Sequence, residues 1–216
     1  MLRYIIILLV FSLVTACSER PATNDQSYPW QIKKTKMGNT QIFGIELGVM
    51  SLEQVSRIIK KKYKLGLFEN KKGRLVLEAY LGEFTRSGVS GKLIVVLQAD
   101  KDKLVNFKLR SIKQERQNSG DIKYILSAND RVQAEKLIVT VLSYIPYVQL
   151  DKELIEKRFG IPDRVITSKD KLKHYIYKNK GLDIIQNDDG KELLQYVSPN
   201  NIESLLAPLR ESSFSN

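Results

Sequence analysis

The sequence predicts an α+β fold of two tandem units, each a helix followed by an antiparallel meander, behind a cleavable leader and a flexible tether. Three observations point there. Capped amphipathic helices begin at Ser51 and again at Asp151, each is followed by short β-rich runs separated by Gly, Asn and Asp, and a leader-like segment precedes both. Of 216 residues, 43% are hydrophobic and 27% charged, the balance of a globular chain.

The leader comes first. Met1, Leu2 and Arg3 give a short positive start, residues 4–14 are apolar except for Ser12, and small Thr15 and Ala16 precede Cys17. That order reads as a secretory signal peptide over residues 1–16. An apolar run of roughly 11 to 13 residues is short of the ~20 that a permanent spanning helix needs. Residues 17–41, with Glu19, Arg20, Pro21, Asn24, Asp25, Ser27 and Pro29, read as a tether. Trp30 docks either on the domain or on lipid headgroups, the domain being favoured. The folded part is expected to start at Ile42, with a first unit over 42–126 and a second over 127–216.

Leu13-Val14-Thr15-Ala16-Cys17 resembles the lipobox of bacterial lipoproteins. The resemblance implies that the Cys17 thiol receives a diacylglycerol and becomes the mature N-terminus. Two or more acyl chains anchor stably where one holds marginally. Ser18 in place of Asp implies sorting to the outer membrane, with the domain facing the periplasm.

Within the first unit, Leu52, Val55, Ile58 and Ile59 recur at helical spacing over residues 51–62. Ser51 and Gln54 are placed for a capping box, and Met50 and Val55 for a hydrophobic staple. Strands are expected over 74–81, 92–97 and 104–112, with turns at 70–73, 86–91 and 100–103. Residues 130–145 carry Ala134, Leu137, Ile138, Val141, Leu142 and Ile145 on one stripe, which predicts a helix. In the second unit Asp151 caps a helix that Gly160 stops, with Leu150 and Ile155 as its staple. Strands follow over 164–167, 172–177, 182–186 and 193–198, with turns at 179–181 and 187–190. Pro199 opens a last helix with Ile202, Leu205, Leu206 and Leu209 inward.

Gly44-Ile45-Glu46-Leu47-Gly48 before a capped helix, and Arg158-Phe159-Gly160-Ile161-Pro162-Asp163 followed by His174-Tyr175-Ile176-Tyr177, resemble the helix-then-meander units of the BamE (SmpA/OmlA) lipoproteins and of the β-lactamase-inhibitor-like (BLIP-like) fold. The match is best over 151–198, where Gly160, Pro162 and the strand tyrosines keep the family pattern. The first half lacks the Pro, and the chain is about two units long where BamE has one. The resemblance implies a non-catalytic fold that binds proteins at the outer membrane.

Composition narrows the chemistry further. Lys plus Arg total 35 against 24 Asp plus Glu, a net charge of +11 that suits phosphates or an anionic membrane face. Export removes nucleic acid from the partners. One Cys and one His supply neither a disulfide nor a structural zinc site. His174, alone in a strand, reads as a packed residue rather than a base. Residues 86–92 lack the first Gly of a phosphate loop, and Leu93 stands where Ser or Thr would hold magnesium. Ser168-Lys169-Asp170-Lys171 matches Ser-x-x-Lys by letter only. Asp100-Lys101-Asp102 and Asp188-Asp189-Gly190 read as turns rather than calcium loops. Glu78 and Glu83 are carboxylates with no partner that the sequence identifies.

No catalytic residue, metal, cofactor or small-molecule substrate is therefore expected. The leading expectation is an adaptor that binds another envelope protein through an open sheet face, with Tyr80, Tyr175, Tyr177 and Tyr196 as its aromatics. The alternative is a binder of lipopolysaccharide, phospholipid or peptidoglycan through Lys60, Lys61, Lys62, Lys64 and Arg74. Inhibition of a periplasmic hydrolase follows from the fold resemblance alone.

Overall fold

The computed structural model describes residues 27–187 and 192–213. A small antiparallel sheet of β1 (Lys33–Lys34), β2 (Thr40–Ile42) and β3 (Ile45–Glu46) leads into α1 (Leu52–Ile59). The capping box forms as its residues dictate: Ser51 Oγ accepts from Gln54 N at 3.3 Å, and Gln54 Oε1 accepts from Ser51 N at 2.8 Å. Lys60, in a left-handed conformation at φ 55°, ends the helix.

Strands β4 (Lys64–Glu69), β5 (Leu75–Arg86) and β6 (Val89–Leu97) form consecutive hairpins. The next segment departs from expectation. Residues 104–112 do not form a strand, because Asp100 caps α2 (Lys101–Leu109), accepting from Lys103 N at 2.7 Å and turning Leu104 and Phe107 onto the core. Lys108 pins this helix to the sheet, 2.7 Å from Glu69 Oε1, and Tyr124 donates to the same carboxylate at 2.6 Å. Strands β7 (Lys113–Arg116) and β8 (Ile122–Ile125) follow.

A second departure decides the architecture. The expected helix over 130–145 is helical only in α3 (Ala128–Glu135); after a turn at 136–138 the chain continues as strand β9 (Val139–Pro146). Leu142 and Tyr144 point into the core while Val141, Ser143 and Ile145 alternate to the other face, and the β-branched run at Val139, Thr140 and Val141 fits the pleat. After it come α4 (Lys152–Phe159), capped by Asp151, then β10 (Arg164–Thr167), β11 (Lys173–Tyr177), β12 (Leu182–Gln186), β13 (Glu192–Val197) and α5 (Ile202–Ser213).

The fold is α+β, with helices packed on one long antiparallel sheet. The strand order is β10-β11-β12-β13-β9-β6-β5-β4-β8-β7, so β9, between β13 and β6, joins the strands of both expected units. Helices α1 to α4 and the small sheet bury their apolar side chains on one face, in a cluster that includes Leu52, Phe107, Ala134, Ile155 and Phe159. On the opposite face, α5 packs Ile202 and Leu206 against Ile176 and Val197.

The chain joins this structure earlier than the expected start at Ile42. Trp30 docks on the domain: it packs edge-on against Phe159, stacks on Tyr28 at 4.8 Å and lies under the Arg158 guanidinium. The leader, Cys17 and the first part of the tether lie outside the described residues, as do positions 188–190 of the expected last turn.

Candidate docking interface

Strand alternation sets what each face of the long sheet presents. On the face shared with α5, register places Lys64, Tyr80, Ile94, Ser143 and Gln195 in one row across five strands. A second row runs Gly66, Glu78, Val96, Val141 and Val197, and a third Lys123, Phe68 and Val76. Helix α5 takes Val141, Val197, Ile176 and Ile166. Phe68, Val76, Tyr80, Ile94, Val96 and Ile125 belong to neither apolar cluster and remain half-buried. Among the described residues no helix lies over them. One half of this face is roofed and the other half is open.

Polar groups rim and centre the open half. Lys64 and Lys92 are exposed, and the Lys123 ammonium stands over the Phe68 ring at 5.9 Å. Glu78 sits between Gly66 and Val96; burial, reinforced by the charge of Asp121, raises its pKa above the ordinary carboxylate value. Glu83 accepts a 2.9 Å hydrogen bond from the Tyr147 hydroxyl.

Of the four tyrosines expected on the open face, only Tyr80 is there. Tyr175, Tyr177 and Tyr196 are 4%, 2% and 0% exposed and point into the main core. The reason is register: each occupies the inward position of its strand, whereas His174 and Ile176 occupy the outward ones. Burial pushes the Tyr177 hydroxyl up to about 12, and that hydroxyl donates to Gly160 O at 2.9 Å.

The basic residues do not form one patch. Lys60 and Lys61 line a cleft of about 390 Å³ together with Arg86, Phe84 and Ile59. Lys62 is exposed nearby, while Lys64 lies on the sheet face opposite Tyr80. Arg74 falls at the other end of the β4–β5 hairpin, roughly 17–20 Å away along the strand, and lines a groove of about 360 Å³ beside α5. A run close in sequence is thus divided by a hairpin's length.

The other motifs resolve into local structure. Ser87 and Gly88 form the β5–β6 turn with φ of 51° and 79°. Ser168 Oγ accepts from Leu172 N at 3.2 Å inside the β10–β11 turn. His174 Nδ1 lies 2.8 Å from Asp183 Oδ2, both side chains buried. Among the described residues no three His, Cys, Asp or Glu side chains converge as a metal site, and no helix is long and apolar enough to cross a membrane. The residues that sequence reasoning missed are Phe68, Val76, Ile94 and Val96; for Ile94 and Val96 the signal was the continuous apolar run at 93–97, which implies cover on both faces of a strand. Compared with known proteins, the chain matches no family model, no curated protein and no solved structure.

Proposed function

We propose that this protein is a lipid-anchored, non-catalytic adaptor of the bacterial cell envelope, held to the outer membrane through Cys17 and docking another envelope protein on the open half of its sheet. The observation that carries this reading is the half-buried apolar surface of Phe68, Val76, Tyr80, Ile94 and Val96, which packs against neither core cluster. Contiguous apolar surface rimmed by charge is the signature of an interaction site. The lipobox-like segment, Leu13 to Cys17, supports the anchor. The BamE-like pattern around Gly160 and Pro162 agrees with this role but does not carry the reading.

The cleft bearing Lys60, Lys61 and Arg86 favours a second reading, capture of an anionic envelope ligand such as a lipopolysaccharide phosphate. Two variants separate them. Ile94→Asp in the lipidated chain abolishes co-purification of a cross-linked protein partner on the first reading, whereas Lys60→Glu with Lys61→Glu abolishes co-purification of lipopolysaccharide on the second. Binding through the lysines also weakens steeply with salt. A native envelope in which neither variant changes what co-purifies refutes both readings.

A further inference from the structure

Helix α5 demonstrates what this sheet face accommodates: residues 202, 205, 206 and 209, the stripe of an amphipathic helix, cover its roofed half. The open half continues the same surface. From β9 to β8 there are four strand spacings, about 19 Å, against about 10 Å for the diameter of a helix. Along β5, Val76 to Tyr80 spans about 13 Å, the rise of roughly nine helical residues. The groove of about 360 Å³ beside α5, floored by Val96, Val141 and Val197 with Leu205 as its wall, is the seam at which a neighbouring helix would pack.

Charge specifies the occupant further. Lys64, Lys92 and Lys123 stand on the open half and Arg74 at the end of the groove, so acidic flanks complement the rim. Glu78, which makes no ion pair among the described residues, needs a donor once water is displaced. A second copy docked face to face would set lysine rim against lysine rim. A flat bilayer is held off by α5, which stands about one helix diameter above the strands, and would bury Glu78 in lipid.

Building on the docking-face reading, we infer that the open half seats one amphipathic α-helix of a partner protein, laid beside α5, with acidic flanks and one hydrogen-bond donor near the middle of its apolar side.

The test is photo-cross-linking from the full chain in cells of its native host, with a benzophenone side chain at position 94 and the attached peptide sequenced by mass spectrometry. The expected adduct lies on a partner segment with apolar residues at every third or fourth position and Asp or Glu beside them. Lys64→Glu combined with Lys92→Glu, both exposed and so neutral for folding, lowers its yield at least tenfold. A segment apolar at every second position, or one from a second copy of this chain, overturns the helix and leaves the docking face standing. Adducts on lipid alone, or none at all, overturn both.

Discussion

The hydroxyl of Tyr196 on β13 donates a 2.8 Å hydrogen bond to the carbonyl of Pro29, 167 residues earlier in the chain. Complete burial raises its pKa well above the usual phenol value, so it stays a donor at any physiological pH. Tyr196→Phe removes this tie and leaves a buried carbonyl unmet, a loss of about 1–2 kcal/mol. Urea unfolding measures that loss, and limited proteolysis around residues 27–38 accelerates, because Trp30 loses its neighbour's anchor.

Arg110 clamps Asp130 with Nη2 2.7 Å from Oδ1 and Nε 3.2 Å from both oxygens, tying the end of α2 to the start of α3. That hydrogen bonding holds the Asp130 carboxyl below its ordinary 3.8. A depressed pKa contributes stability above the unfolded value and loses it as pH falls through the folded one. Asp130→Asn therefore lowers the thermal midpoint at pH 7 and flattens the acid limb of stability below pH 3.8, read by a melting series in pH.

Glu78 has the opposite sign. Burial raises its pKa above 4.5, so the folded state binds more protons and stability declines as pH climbs from 4.5 through the folded value. Glu78→Gln removes that decline and stabilises the protein at pH 7 while leaving it unchanged at pH 4.

The seam between β6 and β9 depends on Gly91, where a Cβ would press on the Ile145 carbonyl and stand 2.8 Å from the Tyr144 ring. Gly91→Ala forces that approach apart at a cost of about 1–3 kcal/mol. Leu142→Ala, four residues further along the same strand pair and fully buried, costs about 2–5 kcal/mol. Both variants unfold in a single transition, since the seam lies at the middle of the sheet; two resolved transitions would show that the halves melt separately.

Local signals were legible and long-range ones were not. Ser51 and Asp151 revealed their helices because a cap needs only residues three positions on, and β12 and β13 followed from alternation bounded by turns. Residues 137–145 carry apolar side chains that satisfy both a helical stripe and a strand, and only pairing with β6 and β13 selects the strand. Strand β7, with the sequence KQER, has no apolar content to announce it. Tyr80 was placed on the open face by its type, as were Tyr175, Tyr177 and Tyr196, whose register turns them inward. Phe68 and Ile94 escaped because a single sequence does not tell a strand covered on both faces from one awaiting cover.

A ribosome delivers this chain from its N-terminus, so β6 exists before β9, its lateral neighbour, has been synthesised. Until residue 146 emerges, nine residues of extended backbone present unmatched amides and carbonyls to whatever strand is nearby. This nascent edge is where a chaperone would be most needed. Genetic truncation after β8 reproduces that stage permanently and yields inclusion bodies instead of a soluble half-protein.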